Sequence, residues 1–180
     1  GEGGNGIVLE VKSQEGQNFA LKILKPEVVS DDSRKRFKNE LFFCQKSEHH
    51  NILRVVDVGY LFYDKIKCPF YVAPIFPETL RSLMNRKECS PEELLSYFCQ
   101  LLDGVEAAHL MGIIHRDLKP ENVFLSVEDK RVVLGDFGIA RFSEPLLATA
   151  VETADGSRLA NFQYAAPEQR VRGRQVGPQA

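Results

Sequence analysis

Two short segments near the middle of the chain carry the residue types that phosphoryl transfer requires. The first, His-Arg-Asp-Leu-Lys-Pro-Glu-Asn, supplies a carboxylate at Asp117, an ammonium group at Lys119 and an amide at Asn122. The second, Asp-Phe-Gly, adds the carboxylate of Asp136, fourteen residues after the amide. Transfer of a phosphoryl group from ATP needs a base for the attacking hydroxyl, a cation for the moving group and oxygen ligands for Mg²⁺. A single aspartate of this kind is usually a loop-capping residue, but the combined order and spacing predict that chemistry.

A glycine-rich string opens the chain. Gly1, Gly3, Gly6 and Val8 form the pattern G-x-G-x-x-G-x-V. Glycines allow backbone amides to approach a phosphate closely, because no side chain stands between them. Dinucleotide-binding folds share G-x-G-x-x-G, but in those folds a helix follows the glycines. The apolar alternation over residues 7–11 predicts a strand instead, which favours a glycine-rich hairpin over a nucleotide and leaves a dinucleotide-binding turn as the alternative.

Lys22 is a second candidate for phosphate binding. It lies in the apolar run Phe-Ala-Leu-Lys-Ile, which predicts a strand over residues 19–23 with its ammonium group directed into a cleft. A partly buried ammonium group needs a countercharge, and Glu40 on the next predicted helix is the best partner. The alternative is a surface lysine and an unrelated surface glutamate. The glycine string before them and the Asp117 segment after them favour the pair.

Apolar alternation predicts the strands that must hold these residues. A hairpin is expected over residues 7–11 and 19–23. Further strands are expected over residues 53–62, 70–73, 123–125 and 132–134. Pro74 and Pro77 interrupt the pattern and predict a linker, and beyond Arg141 the periodicity ends, which predicts a long surface loop.

Two helices are predicted from helical spacing and from capping residues. Residues 31–47 carry apolar side chains at helical intervals, with Asp31, Asp32 or Ser33 as the expected N-cap. A second helix begins after Ser90 in Ser-Pro-Glu-Glu, which places a serine at the cap, proline at the first helical position and acids in the first turn. Its apolar residues continue to about residue 110, before Gly112.

Composition limits the class of protein. The chain has 180 residues, 43% hydrophobic content and a net charge of −2, which suits one core or two small lobes and argues against a nucleic-acid partner or an anionic membrane surface. No apolar run reaches the roughly 20 residues that span a bilayer. The cysteines lack C-x-x-C spacing, so we expect reduced core thiols in a cytosolic compartment, with a metal site or redox switch as the alternative. The four cysteines are Cys44, Cys68, Cys89 and Cys99.

Together these motifs resemble the catalytic domain of eukaryotic-type protein Ser/Thr kinases, a family with bacterial members. The resemblance covers essentially all 180 residues and ends in Ala-Pro-Glu at 166–168, which is similar to the A-P-E of that family. It implies an α+β bilobal fold, with an antiparallel sheet and one helix in the N-lobe over residues 1–73, a hinge over 74–77 and a mainly helical C-lobe over 78–180. Complete domains of the family are longer, so we expect this chain to be truncated at both ends.

The resemblance also implies roles for the charged residues. Lys22 would hold the α- and β-phosphates of ATP and pair with Glu40. Asp117 would orient the substrate hydroxyl and accept its proton. Lys119 would neutralise the γ-phosphate, and a lysine at this position resembles the Ser/Thr branch of the family.

The cofactor site follows from the same resemblance. Asn122 and Asp136 would bind Mg²⁺ through hard oxygen ligands. Ala73 would be the small residue at the back of the adenine pocket, and Pro74 would still offer a backbone carbonyl to the adenine amino group. Besides the three glycines and Lys22, the nucleotide would contact Val8, Ala20, Ala73, Pro74, Phe76 and Phe124.

Regulation and substrate choice are less sharply indicated. Arg116 precedes Asp117, and in the family such an arginine often accompanies an activation loop ordered by a phosphate. Thr149 or Thr153 is the candidate autophosphorylation site on this loop, although for any one loop hydroxyl the absence of modification is favoured. Asn161 replaces a threonine usual in the family, and its amide can donate and accept similarly. That difference leaves substrate preference open.

The sequence thus predicts a cytoplasmic, ATP- and Mg²⁺-dependent kinase that phosphorylates Ser or Thr hydroxyls of proteins. We expect no nucleic-acid partner and no membrane segment within these residues. The alternatives are a non-catalytic pseudokinase-like scaffold and a small-molecule phosphotransferase of the same broad fold. Intact Lys22, Asp117, Asn122 and Asp136 argue against the scaffold, and Lys119 argues for a protein substrate.

Overall fold

A computed structural model describes most of the chain, and its residues fall into two compact units. The described residues are 6–86, 89–126, 128–137, 141–142, 163–170 and 176–179, with the backbone alone for 141–142. The first unit comprises Gly1–Glu48 and Leu53–Ile75, and the second comprises His49–Ile52 and Phe76–Ala180. The predicted N-lobe over residues 1–73 included His49–Ile52, whereas these four residues group with the second unit.

A four-stranded antiparallel sheet forms the first unit, with the strand order β1-β2-β4-β3. Its strands are β1 Gly6–Lys12, β2 Asn18–Leu24, β3 Asp57–Tyr63 and β4 Ile66–Pro74. The predicted β1–β2 hairpin is confirmed, with each strand extending one residue further at both ends. The pairing of β2 with β4 places Ala20 opposite Ala73 and Lys22 opposite Tyr71.

The two other predicted strands of this unit have different bounds. β3 begins at Asp57 rather than at residue 53. The amide of Val56 still donates to Val72 of β4 at 2.8 Å, but the amide of Val55 turns away and donates to the carbonyl of Cys44 at 3.4 Å. β4 is longer than predicted and includes Pro74, which lies opposite Phe19. A proline is tolerated at the end of a strand, where a missing N–H costs little, so the linker begins after Pro74.

The first helix, α1 Asp31–Lys46, begins with a different cap from the one predicted. Ser30 is the N-cap, and its Oγ accepts a hydrogen bond from the amide of Ser33 at 3.2 Å. The Oγ of Ser33 in turn accepts from the amide of Ser30 at 2.8 Å, which completes a capping box. Asp31 and Asp32 instead occupy the first turn, where acidic side chains favour the positive end of the helix dipole.

The second unit contains two helices and short strands. The helices are α2 Leu80–Arg86 and α3 Pro91–Leu110. The strands are β5 Glu78–Thr79, β6 Ile113–Ile114, β7 Val123–Ser126, β8 Arg131–Leu134 and β9 Arg141–Phe142, which pair as β5-β7-β8 and as β6-β9. The predicted capping box of α3 is confirmed, since Ser90 and Glu93 cap each other reciprocally. α2 and the two-residue strands were not predicted.

Asn51 joins α3 to β8 within this unit. Its side chain is fully buried, and its Nδ2 donates to the carbonyl of Val132 at 2.7 Å. Its own backbone carbonyl accepts from the amide of Leu134 at 2.8 Å. A Cβ at Gly104 of α3 would lie 2.9 Å from that carbonyl oxygen, so only glycine allows the helix to approach this closely. β8 leads directly into Asp136.

The four cysteines are all free thiols, but only two lie in the core. Cys44 and Cys68 are buried, whereas Cys89 is half-buried and Cys99 on α3 is exposed. The expectation that all four are core thiols is therefore wrong for Cys89 and Cys99. Among the helices in the described part of the chain, none combines the length and the apolar character needed to cross a bilayer.

Candidate active site

The first unit contains a buried ion pair with an additional hydroxyl donor. The Nζ of Lys22 lies 2.9 Å from the Oε1 of Glu40, so the predicted pair is present. The hydroxyl of Tyr71 donates to the same Oε1, also at 2.9 Å. Glu40 is only 2% exposed, whereas 20% of the Lys22 side chain is accessible. The carboxylate is thus held inside the unit, and the ammonium group retains access to solvent.

Both the sheet register and the helix face bring these three groups together. Lys22 on β2 and Tyr71 on β4 are direct cross-strand neighbours, so their side chains leave the sheet on the same face. Glu40 shares the buried face of α1 with Phe37, whose ring lies 5.4 Å from that of Tyr71. A buried carboxylate is costly unless it is paired and hydrogen-bonded, and Lys22 and Tyr71 satisfy that requirement. Tyr71 was not among the predicted site residues.

β1 supplies the described part of the glycine-rich string. A Cβ at Gly6 would lie 3.1 Å from the carbonyl oxygen of Ile23, so β1 and β2 are closely apposed there. Val8, two residues further along β1, is 38% exposed. Gly1 and Gly3 lie outside the described residues, so their predicted contact with phosphates stays a prediction.

The remaining predicted adenine-binding residues of the first unit lie side by side in the sheet. Ala20 and Ala73 are cross-strand partners, and Pro74 is paired with Phe19 next to them. Ala73 is 2% exposed, and its methyl group occupies little of the volume that a larger residue would fill there. The two alanines are thus small apolar neighbours on the same face of the sheet.

In the second unit, the side chain of Asp117 receives two hydrogen bonds. The Nζ of Lys119 lies 2.6 Å from its Oδ2, and the Nδ2 of Asn122 donates to the same oxygen at 3.0 Å. Asn122 also donates to the backbone carbonyl of Asp117, at 2.9 Å. The structure therefore brings together all three predicted polar residues of this segment, Asp117, Lys119 and Asn122, in a small cluster. The side chain of Asp117 remains 13% exposed, so its carboxylate is within reach of a bound hydroxyl.

His115 contacts the backbone of Asp117 and of Gly135 and is held in a single protonation state. Its Nε2 lies 2.9 Å from the carbonyl of Gly135, and its Nδ1 accepts from the amide of Asp117 at 3.2 Å. Nε2 must therefore carry the proton and Nδ1 must be bare, which is the neutral imidazole. Burial lowers the pKa of His115, and this outweighs the opposing influence of the Gly135 carbonyl and of the carboxylates of Asp136 and Asp117. The ring also packs on Phe137, with centroids 4.5 Å apart.

Backbone conformations around the cluster are unusual. Arg116 has φ +65° and Asp136 has φ +60°, the left-handed region that residues other than glycine rarely adopt. Each such residue costs about 1–3 kcal/mol and persists only where its surroundings enforce it. Such strain is concentrated at functional sites. Here the strained residues are Arg116, which precedes Asp117, and Asp136, the second predicted Mg²⁺ ligand.

Asn122 and Asp136 are suited to bind Mg²⁺. The amide of Gly135 donates to the backbone carbonyl of Asn122 at 3.0 Å, which joins the two segments that carry these ligands. Both hydrogen bonds of the Asn122 side chain are donated by Nδ2, so the remaining atom, Oδ1, is the one suited to a cation. An amide oxygen and a carboxylate are hard ligands, and Mg²⁺ takes few of them, completing its shell with water and phosphate oxygens.

The described residues of the chain contain no cluster of three or more His, Cys, Asp or Glu side chains that could hold a metal ion by themselves. That finding is compatible with a site of only two protein ligands. It gives no support to the alternative of a metal site built on the cysteines.

Two aromatic rings are stacked near the start of the second unit. The rings of Phe76 and Phe124 have centroids 5.8 Å apart and planes inclined by 13°. Phe124 lies in β7, opposite Thr79 of β5. These are the predicted adenine-binding residues of this unit, and they present a flat apolar surface.

The segment 163–170 contacts the Asp117 loop through residues that sequence reasoning missed. Arg81 of α2 donates from Nε to Glu121 at 2.8 Å and also donates to the hydroxyl of Tyr164. The Nε2 of Gln169 donates to the backbone carbonyl of Arg116 at 2.7 Å. No sequence signal pointed to these contacts, because each joins residues that are at least 40 positions apart in the chain. Thr149, Thr153 and Asn161 lie outside the described residues.

Comparison with known proteins shows the family that the motifs resemble. The family model described as "Protein kinase domain" matches residues 1–180. The chain is 31% identical over 182 residues to a probable serine/threonine-protein kinase, PkwA, of Thermomonospora curvata, and the match covers 99% of this chain and 23% of that protein. It is 35% identical over 175 residues to serine/threonine-protein kinase pkn2 of Myxococcus xanthus, covering 95% of this chain and 21% of that protein.

A eukaryotic relative is similar over a shorter stretch. Mitogen-activated protein kinase 4 of Rattus norvegicus is 32% identical over 155 residues, which is 80% of this chain and 55% of that protein. The chain thus spans about a quarter of the length of the two bacterial relatives and about half of the rat one.

Proposed function

Because this chain belongs to the protein kinase domain family, we propose that it catalyses transfer of the γ-phosphoryl group of ATP to Ser or Thr hydroxyls of protein substrates. The observation that carries the proposal is the cluster in which Lys119 and Asn122 both bond Oδ2 of Asp117. The bacterial relatives are named as serine/threonine-protein kinases, and this, together with the lysine at position 119, favours Ser and Thr over Tyr as the acceptor.

The first unit would supply the phosphate-binding cation. Lys22 is fixed by Glu40, which Tyr71 also holds, so the ammonium group is ordered before nucleotide binds. A positioned cation stabilises phosphate charge without the entropic cost of ordering a flexible side chain at the moment of reaction. The close approach of β1 and β2 at Gly6 supports a role for this hairpin in covering the phosphates, together with Gly1 and Gly3.

The second unit would carry out the proton transfer. Asp117 would orient the substrate hydroxyl and accept its proton as the oxygen attacks the γ-phosphorus in line. Lys119, 2.6 Å from Asp117, would neutralise charge on the transferring group. Asn122 and Asp136 would hold Mg²⁺, which would supply charge neutralisation at the phosphates when bound.

The adenine ring would be bound by apolar side chains. Val8, Ala20 and Phe124 would contact its faces, with Phe76 behind Phe124, and the carbonyl of Pro74 would accept from its amino group. Ala73 would be the residue at the back of the pocket. Its burial and small size support this assignment.

We also propose that phosphorylation of the predicted loop beyond Arg141 regulates the activity. Thr149 and Thr153 are the candidate acceptors, and Arg116 beside Asp117 motivates the idea. A phosphate on this loop would add charge-assisted hydrogen bonds to arginine. A cytoplasmic location for these residues is part of the same proposal.

A phosphorylation assay with separated acceptors tests the proposed function. The protein is incubated with Mg²⁺ and γ-labelled ATP in the presence of a Ser/Thr peptide library or of small-molecule alcohols and amines. We expect label on Ser and Thr of peptides and on none of the small molecules. Label on small molecules alone would establish the phosphotransferase alternative, and ATP binding without any transfer would establish the non-catalytic scaffold.

A further inference from the structure

The peptide bond that precedes Asp117 is held from both sides by side chains. Its N–H, which belongs to Asp117, donates to the Nδ1 of His115 at 3.2 Å. Its C=O, which belongs to Arg116, accepts from the Nε2 of Gln169 at 2.7 Å. Arg116 has φ +65°, so this peptide lies next to a strained residue. The orientation of the peptide therefore depends on two hydrogen bonds, one of which comes from a residue 53 positions away.

The amide of Gln169 is itself fixed in one orientation. Its Oε1 accepts from the backbone amide of Ala166 at 3.0 Å, and its own backbone amide donates to the carbonyl of Ala166 at 2.9 Å. Both of its side-chain partners are backbone groups of fixed polarity. A flipped amide would place Oε1 against the carbonyl of Arg116 and the NH₂ group against the N–H of Ala166, so only one orientation is possible.

A second contact joins the same two segments at their other ends. Tyr164 accepts a hydrogen bond from Arg81, and Arg81 also donates to Glu121 at 2.8 Å. The segment 163–170 therefore contacts the Asp117 loop at Arg116 directly and at Glu121 through Arg81. Only the first contact acts on the peptide next to the reactive carboxylate.

We propose that Gln169 is a positioning residue for Asp117, because its hydrogen bond to the carbonyl of Arg116 fixes the peptide next to the catalytic carboxylate. The inference rests on the proposed function, in which Asp117 accepts the proton of the substrate. When the segment is in place, Gln169 and His115 together prevent rotation of the peptide between Arg116 and Asp117. Without the amide of Gln169, the carbonyl of Arg116 would lose this hydrogen bond, and the peptide next to the strained residue would be less restricted in its rotation. Catalysis would then fall although every catalytic residue is present.

The effect should appear in turnover and not in nucleotide binding. Gln169 bonds the peptide next to Asp117, and Asp117 is assigned to the substrate hydroxyl rather than to the nucleotide. A misplaced base lowers the rate of the chemical step, and errors near 1 Å can be costly. Loss of one hydrogen bond to a backbone carbonyl should lower kcat about ten-fold, which corresponds to roughly 1.4 kcal/mol.

The test uses the variant Gln169→Glu, which keeps the shape and the acceptor for Ala166 but loses the donor to Arg116. Gln169→Met is the second variant, which removes both hydrogen bonds without adding charge. Gln45→Glu is the matched control, because it makes the same chemical change at an exposed position of α1. Steady-state kinetics with a peptide acceptor give kcat and the KM for ATP. Residue-resolved amide exchange reports the freedom of the Asp117 peptide, with the core amide of Leu134 as an internal reference.

We expect both Gln169 variants to lower kcat about ten-fold, to leave the KM for ATP within two-fold and to speed amide exchange at Asp117 but not at Leu134. The control should match the wild type. The proposal would be overturned by an unchanged kcat in the Gln169 variants, or by a KM for ATP that rises together with the fall in kcat. Equal acceleration of amide exchange at Asp117 and at Leu134 would also overturn it. If the wild type transfers no phosphate, the proposed function fails, and the exchange comparison still decides whether Gln169 positions the peptide.

Discussion

Replacing Tyr71 with phenylalanine removes one hydroxyl group from the interior of the first unit. That hydroxyl donates to Oε1 of Glu40 at 2.9 Å, and both residues are almost fully buried, at 3% and 2% exposure. Hydrogen bonds to charged acceptors contribute about 1.5–3 kcal/mol. Lys22 still donates to the same oxygen in the variant, so we expect a loss near the lower limit, about 1.5–2 kcal/mol. The ring remains, so its contact with Phe37 should be retained.

The loss can be measured by urea unfolding followed by circular dichroism. Tyr60→Phe is the matched control, because Tyr60 lies on the neighbouring strand β3 with 58% of its surface exposed. Surface substitutions of this kind usually change the free energy of unfolding by less than about 0.5 kcal/mol. The KM for ATP should also rise in Tyr71→Phe and stay unchanged in the control, because the hydroxyl helps to hold the partner of Lys22.

A second genetic background separates the hydrogen bond from other effects of the hydroxyl. In a Glu40→Leu variant the acceptor is absent, so adding Tyr71→Phe should cause no further loss in the free energy of unfolding. An equal loss in both backgrounds would show that the hydroxyl acts elsewhere. A loss below about 0.5 kcal/mol in the native background would refute the reasoning about the buried carboxylate.

Three further perturbations have defined outcomes. Gly104→Ala should lower the free energy of unfolding by about 1–2 kcal/mol, because the clash with the carbonyl of Asn51 exceeds the roughly 1 kcal/mol gain in helix propensity. The control is Asp103→Ala at the exposed neighbouring position, which should at most raise the free energy of unfolding. A rise in Gly104→Ala would contradict the prediction. Because burial lowers the pKa of His115 below 6.5, only the unfolded chain takes up that proton just below pH 6.5. The stability advantage of the wild type over His115→Phe, measured by urea unfolding, should therefore be largest above pH 6.5 and shrink on acidification, and a constant difference would contradict this. Ala73→Met should weaken the binding of ATP-competitive inhibitors with a bulky aromatic extension by about ten-fold, consistent with an overpacking cost of about 1–3 kcal/mol. Parallel titrations should show a nearly unchanged affinity for ATP. Equal inhibitor affinity for both forms would mean that another residue lies at the back of the adenine pocket.

Local sequence signals were sufficient where the chemistry and the structure are local. The Asp117, Lys119 and Asn122 cluster lies within six residues, so spacing alone predicted it. The cap of α3 follows from Ser90 and its neighbours for the same reason. The Lys22–Glu40 pair joins different elements, yet it was predictable because a partly buried charge requires a partner and few candidates were near.

Long-range contacts escaped prediction for the converse reason. Tyr71 reaches Glu40 only because of the register between β2 and β4, which the sequence does not specify on its own. Gln169 bonds Arg116 across 53 positions, and nothing in its local sequence indicates a partner. The cap of α1 was misassigned because Ser30 is followed by three other good capping residues, and only backbone geometry distinguishes among them.

The account depends above all on Asp117 as the base that accepts the proton of the substrate. Turnover on a peptide acceptor and affinity for ATP should therefore be measured separately for the wild type and Asp117→Asn, with the exposed Asp129→Asn as the matched control. The account predicts that Asp117→Asn lowers kcat by about two to four powers of ten, as loss of a general base does, and leaves the Kd for ATP nearly unchanged. Near-wild-type turnover in Asp117→Asn would contradict it.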